Sequence, residues 1–208
     1  MPRFDPRCRA CPRLARHLVE VRRQYPSYHA RPVPAFGDPR AQLLVVGLAP
    51  GLHGANASGR PFTGDFAGIL LYQTLYEHGF ASRPLSAAPD DGLVLRNCRI
   101  TNAVKCLPPE NKPTASEVNT CNRYLETEVQ ELAPGGVILA LGAVAHRAVI
   151  RALALRQSAY EFAHGHHHRL PQDRHLLDSY HCSRYNTQTG KLTKLMFRRV
   201  LAKAKRLL

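Results

Sequence analysis

The chain of 208 residues has no tryptophan, only two methionines and only 15 acidic residues. Its 29 lysines and arginines outnumber the acids and give a formal net charge of +14 at pH 7. Such a surplus attracts polyanions, because each cation that neutralises a phosphate releases condensed counterions. The charge therefore favours a nucleic-acid partner, and a basic protein without such a partner is the alternative that charge alone leaves open.

The sequence also lacks a long apolar run. No stretch reaches the roughly 20 apolar residues of a transmembrane helix, and MPRFDPRCRACPR at the start has charges and prolines where a signal peptide needs an apolar segment. These absences predict a cytoplasmic protein with no membrane partner, and we expect a monomer. The length suits one substantial core, so we expect a single domain over residues 1–208.

Short apolar runs alternate with helical patterns along the chain. Four runs predict strands: AQLLVVG, NCRITNAV, GGVILALG and HLLDSY. Helices are predicted within residues 8–26, over about 67–78, from the capping box at Thr114–Glu117 to about 132, over AVAHRAVIRALAL, and over TKLMFRRVLAKAKRLL. This alternation predicts an α/β fold with a four-stranded parallel sheet flanked by helices.

A long loop of small residues, LAPGLHGANASGRPFTGD, follows the first predicted strand. Loops of this length without secondary structure are usually functional or disordered. Its lone carboxylate, Asp65, can act on water or cap the next helix. Its lone aromatic, Phe62, can stack on a planar ligand or anchor the loop on the core. The loop matches neither a Walker motif nor a dinucleotide fingerprint, so a nucleotide-handling α/β enzyme is weakly supported.

Polar residues end two further predicted strands. Asn102 carries a donor and an acceptor side by side, as pairing with a base edge requires, and His181 can donate a hydrogen bond to developing negative charge. Carboxyl ends of parallel strands meet at one edge of a sheet, so we expect these residues to converge with the long loop. The tract HGHHHR covers residues 164–169. We expect His164–His168 to form a surface loop rather than a metal site.

The chain has six cysteines. Disulfides are rare in the cytoplasm, where we expect this protein to be, so the cysteines call for another explanation. Cys8 and Cys11 form a C-x-x-C pair, and Cys106 and Cys121 are two distant singles. Four thiolates of this kind suit a structural zinc or a [4Fe–4S] cluster, and spacing alone does not choose between them or exclude a chance assembly. Cys98 lies in a predicted strand and is expected to be a buried small hydrophobe.

Three motifs together resemble those of the uracil-DNA glycosylase superfamily: GLAPGLHGANASGRPFTGD, ITNAVKCLPPENKP and SYHCSRYNTQTG. Their order is most similar to that of the fifth family, the type B iron–sulfur enzymes, and the resemblance covers Cys8 to about Thr193. It implies a four-stranded parallel sheet between helices. It also implies a structural [4Fe–4S] cluster whose ligands are Cys8, Cys11, Cys106 and Cys121.

The resemblance further implies a monofunctional DNA glycosylase of base excision repair. Such an enzyme flips uracil, and other deaminated bases such as hypoxanthine, out of double-stranded or single-stranded DNA and hydrolyses the bond to the sugar. The residues implied for binding the base are Gly47, Ala49, Gly51, Phe62, Asn102 and His181. Asn102 and His181 are also implied to be catalytic, with His181 stabilising the negative charge on the departing base. Better-known relatives have a polar residue where this chain has Ala49, so the task of activating water would pass to Asp65.

The segment after His181 departs from the family, which usually has proline where this chain has Cys182. We expect Arg184, Tyr185 and Asn186 to contact DNA, with Tyr185 filling the gap left by the flipped base, although a solvated loop is the alternative. No lysine stands at the motif positions implied for the base or the water, which favours hydrolysis to an abasic site over strand cleavage. The competing function is a metal-stabilised nucleic-acid-binding module without catalysis.

Overall fold

The computed structural model describes residues 4–208, which form one mixed sheet covered by helices on both faces. The strands are β1 Phe36–Gly37, β2 Leu43–Gly47, β3 Cys98–Asn102, β4 Val137–Leu141, β5 His167–Arg169 and β6 His175–Ser179. The helices are α1 Pro12–Gln24, α2 Ala55–Ser58, α3 Phe66–Glu77, α4 Ala115–Gln130, α5 Ala143–Ala152, α6 Arg184–Gln188 and α7 Lys194–Leu207. Short 3₁₀ turns cover Pro109–Asn111 and Gln157–Ala159.

The sheet has six strands in the order β1-β3-β2-β4-β6-β5. The four central strands are parallel, as the apolar runs predict. The predicted count of four is wrong, because β1 and β5 pair antiparallel at the two edges. These edge strands have two and three residues, too few for a recognisable pattern in the sequence.

The core lies on both faces of the central strands, which explains their continuous apolar runs. Leu43 and Val45 face α3 and α7, while Leu44 and Val46 face α4 and α5.

The capping box predicted at the start of α4 is confirmed: the Thr114 side chain accepts from the Glu117 N–H, and the Glu117 carboxylate accepts from the Thr114 N–H. Within residues 4–208, no helix is long and apolar enough to span a membrane.

Only the first half of the histidine-rich tract is the surface loop that its composition predicts: residues 164–166 lie in a turn, where His166 is exposed. His167–Arg169 forms β5, and His168 is buried. The carboxylate of the fully buried Asp178, on β6, lies 3.1 Å from His168 Nε2 and 2.8 Å from His146 Nδ1 on α5. The prediction is wrong for His168, because a local tract does not reveal that a distant carboxylate supplies the hydrogen bonds that make burial of an imidazole tolerable.

We expect Asp178→Asn to lower the free energy of unfolding by about 3 kcal/mol, because it disrupts a buried hydrogen-bond network and leaves two imidazoles with a weaker partner. Urea denaturation measures the change. Asp173→Asn is the matched control, since Asp173 is exposed and its φ of 55° suits asparagine equally well. Equal stability of the two variants would show that the Asp178 network does not brace the edge of the sheet.

Candidate active site

A pocket of about 490 Å³ opens at the carboxyl edge of the parallel strands. It lies between the long loop after β2, the end of β3 and the segment after β6. The predicted convergence is present, because the residues that line this pocket include Ala49, Gly51, Phe62, Asp65, Asn102, His181 and Arg184. The pocket is also lined by three residues that no sequence motif predicted for the site: Phe66, Asn111 and Ser183.

Asn102 forms the back of the pocket and rests on the backbone of Gly47. The two residues are partners in the β2–β3 register, and a Cβ at Gly47 would lie 2.4 Å from Asn102 Oδ1 and 2.6 Å from Phe62 Cζ. Glycine is therefore required at position 47. The Oδ1 atom of Asn102 is buried and has no hydrogen-bond partner among residues 4–208. An unpaired buried acceptor is costly, and its retention is typical of an atom that binds a ligand.

Phe62 is buried as a core anchor would be, and it also lines the pocket where it could meet a ligand. Its side chain is 5% exposed and belongs to the core. Its ring lies 6.1 Å from the His181 ring at an interplanar angle of 29°. Its φ of 56° is strained for a bulky residue, and such strain clusters at binding sites. The loop holds Phe62 in a conformation that local preferences disfavour.

Arg60 anchors this loop through buried hydrogen bonds, and nothing in the sequence predicted this role. It is 6% exposed, and its guanidinium donates to Thr63 Oγ1, Ser86 Oγ and Asp91 Oδ2 at 2.8, 2.6 and 2.7 Å. Burial opposes ionisation of Asp91, but Arg60 and backbone N–H donors hold its pKa well below the usual range. An arginine in a glycine-rich loop is an ordinary feature, so only the folded partners reveal this anchor.

Asp65 stands at the N-cap position of α3, but its side chain makes no capping hydrogen bond. The carboxylate instead accepts from the Ala55 N–H at 3.2 Å and faces the pocket. A Cβ at Gly51 or Gly54 would lie 2.7 or 1.9 Å from Asp65 Oδ1, so both glycines make room for this carboxylate. Burial raises the pKa of Asp65. A base with a raised pKa binds a proton more strongly.

His181 faces Phe62 across the pocket, and burial lowers its pKa to about 4. The imidazole is therefore neutral at pH 7. Neither ring nitrogen has a hydrogen-bond partner within the part of the chain that the structure describes. A neutral imidazole carries one N–H donor, so His181 can donate to a ligand without first losing or gaining a proton.

Cys182 directly follows His181 in the segment after β6. Cys182 is fully buried in the core, and burial raises the pKa of its thiol to about 12, so it fills space as a small apolar group. The side chain of Asn186 donates to the His181 carbonyl at 2.8 Å, and Ser183 caps α6. The structure thus uses the Asn186 amide to hold the turn, whereas Arg184 and Tyr185, both predicted to contact DNA, are exposed.

A second cavity brings together Cys8, Cys11, Cys106 and Cys121 between α1, the end of β3 and α4. Apolar side chains surround the thiols, including Leu14 and Val104. The Lys105 N–H donates to Cys121 Sγ at 3.3 Å, and the Arg123 side chain donates to Cys8 Sγ at 3.4 Å. Four thiols around one apolar cavity, with N–H donors to sulfur, fit a thiolate-bound cluster. Cys98 lies elsewhere in the core, as predicted.

Lys105 connects the cysteine cavity to the strand that carries Asn102. Its ammonium group is 1% exposed, donates to both Glu128 carboxylate oxygens at 2.8 Å and also donates to Thr101 Oγ1. This buried ion pair fastens α4 to the end of β3. No sequence pattern marks Lys105 as buried, although a lysine in the core is almost always paired.

Comparison with known proteins identifies the class of this arrangement. The uracil DNA glycosylase superfamily model matches residues 34–205. The chain is 51% identical to the type-5 uracil-DNA glycosylase of Thermus thermophilus, over 96% of this chain and 93% of that protein. It is 43% identical to the type-5 enzyme of Pyrobaculum aerophilum, over 95% and 87%, and 42% identical to that of Mycobacterium leprae, over 96% and 91%.

The fold, the pocket and these matches define a hydrolase that acts on N-glycosidic bonds. The chain belongs to the uracil DNA glycosylase superfamily, and within it to the type-5 family.

We expect Gly47→Ala to abolish base release while leaving the chain folded, because the new Cβ collides with Asn102 and Phe62. Single-turnover excision and thermal melting measure the two effects. Gly190→Ala controls for a generic loss of stability, since its Cβ meets no atom within 4 Å and its φ of 73° costs about 1 kcal/mol. Near-normal excision by Gly47→Ala would show that the pocket tolerates a methyl group at its back wall.

Proposed function

We propose that the protein is a monofunctional DNA glycosylase that excises uracil in base excision repair and leaves an abasic site. The observation that carries this proposal is the unpaired buried Oδ1 of Asn102 beside the ring of Phe62. The imide N–H of a flipped uracil would donate to Oδ1, and its ring would stack on Phe62. These two contacts offset the few kcal/mol that flipping costs.

Cleavage of the glycosidic bond leaves positive charge on the sugar and negative charge on the departing base. In the proposed mechanism the neutral imidazole of His181 donates its N–H to the base oxygen on which charge develops. The Asp65 carboxylate orients water and accepts its proton, and its negative charge stabilises the cationic sugar. No lysine lines the pocket, so the proposed product is an abasic site and not a Schiff base.

We further propose that hypoxanthine is a second substrate. Ala49 presents only a methyl group to the pocket, in the position where a polar side chain would restrict the placement of water and base. A base with a different edge and a larger ring is then accepted at lower efficiency. The substrate is DNA that exposes the lesion, in a duplex or in a single strand.

The decisive experiment measures base release from matched oligonucleotides that contain uracil, hypoxanthine or thymine, with alkali added to reveal abasic sites. Cleavage only after alkali, at uracil and at hypoxanthine but not at thymine, is the expected result. Cleavage without alkali would contradict the monofunctional mechanism. Binding without release from any substrate would favour the alternative of a non-catalytic nucleic-acid-binding module.

Asp65→Asn is expected to reduce single-turnover excision by about 10²- to 10⁴-fold, the usual contribution of a general base, while affinity for uracil-containing DNA is retained. Burial disfavours the charge of Asp65, so the melting temperature of this variant should equal or exceed that of the wild type. Asp90→Asn, at an exposed position, is the matched control. A near-wild-type rate for Asp65→Asn would remove Asp65 from the mechanism.

We also propose that Cys8, Cys11, Cys106 and Cys121 hold a [4Fe–4S] cluster. When bound, it would supply a structural cross-link and no redox step. The segment between Cys106 and Cys121 contributes Asn111 to the pocket lining, so ordering of this segment supports the active site.

The cluster proposal predicts a brown protein that contains iron. Cys106→Ser should lose the colour and most of the iron, because one of the four thiolate ligands is removed. Cys98→Ser changes a buried cysteine outside the cavity and should keep both. Metal analysis of the purified wild type distinguishes iron from zinc. Zinc in place of iron would contradict the proposal.

A further inference from the structure

The outer face of α3 carries apolar side chains where a surface helix normally carries polar ones. Phe66, Ile69 and Tyr76 are 43%, 50% and 48% exposed. Phe66 and Ile69 are three positions apart and lie on one side of the helix. Phe66 is the first residue of α3 and also lines the pocket. An exposed aromatic ring therefore stands at the pocket mouth.

The guanidinium of Arg184 lies over one face of this ring. The guanidinium carbon of Arg184 is 5.7 Å from the centroid of the Phe66 ring, and Arg184 lines the pocket as well. Among residues 4–208, the Arg184 side chain has no acidic partner. The exposed part of the ring and a guanidinium without an acidic partner are complementary to a base and a phosphate of the same nucleotide strand.

We propose that Phe66 and Arg184 form a nucleotide-binding rim that holds the lesion strand next to the flipped nucleotide. The inference rests on the proposed function. When one base leaves the stack, its neighbour loses a stacking partner, and the ring of Phe66 takes that place. Arg184 contacts the adjacent phosphate. The chain's net charge of +14 and the continuity of the rim with the pocket favour nucleic acid over a protein partner at this surface.

The rim predicts a specific pattern of DNA affinities, measured by fluorescence anisotropy with a duplex that carries a tetrahydrofuran abasic-site analogue. Phe66→Ala should weaken binding about tenfold, the usual value of one base–aromatic stack, with no change in the salt dependence. Phe66→Tyr should bind like the wild type, because it keeps the aromatic face. Phe66→Leu should resemble Phe66→Ala, because it keeps apolar bulk but cannot stack.

Arg184→Gln should weaken binding and reduce the slope of log affinity against log salt by about 1, as loss of one phosphate contact requires. Tyr76→Ala is the matched control for Phe66→Ala. Tyr76 has similar exposure on the same helix, but ten residues place it about 15 Å from Phe66 along the axis. This control should bind and excise like the wild type.

Wild-type affinity in both Phe66→Ala and Phe66→Leu would overturn the rim, as would equal losses in Phe66→Ala and Tyr76→Ala. Wild-type affinity in Phe66→Leu alone would also overturn it, because apolar bulk and not stacking would then be the cause. These outcomes are separate from failure of the proposed function, which would appear as absence of uracil release by the wild type. The affinity series reports on the rim in either case.

Discussion

The pocket depends on the close approach of functional side chains to backbone that carries no Cβ. Gly47 allows Asn102 and Phe62 to meet at the back wall, and Gly54 allows the Asp65 carboxylate to lie against the loop. The parallel register of β2 and β3 supplies the first approach, since it pairs Gly47 with Asn102. The glycine-rich composition of the loop allows the close approach of the Asp65 carboxylate to Gly54. A methyl group at Gly47 would collide with Asn102 and Phe62, and one at Gly54 would collide with the Asp65 carboxylate.

The same enclosure tunes the two titratable groups in opposite directions. Burial disfavours charge, so it lowers the pKa of His181 to about 4 and raises the pKa of Asp65. The two groups that the proposed mechanism uses as donor and base therefore owe their pKa shifts to one physical cause, burial. Leaving Asn102 Oδ1 buried without a hydrogen bond also costs free energy of folding. The apolar clusters packed on both faces of the sheet supply the stability that offsets this cost.

Much of the fold could be predicted because local patterns determine it. The apolar runs predict the four central strands, and the glycine after α3 predicts its end at Glu77 to within one residue. Features that depend on distant partners could not be predicted. Burial of His168 needs Asp178, and anchoring of the loop needs Arg60 to reach Asp91. The position of Asp65 was also predictable, but the direction of its side chain depends on the folded loop.

The measurement that tests this account most directly is the titration of the Asp65 carboxyl group by ¹³C NMR, with Asp65→Asn used to assign the signal. Burial in a glycine-lined pocket predicts a midpoint above the ordinary value of 3.8. The excision rate should then fall as pH drops through that same midpoint, because protonation removes the base. A midpoint at or below 3.8, or a rate that does not follow the titration, would contradict the role of an enclosed carboxylate as the base.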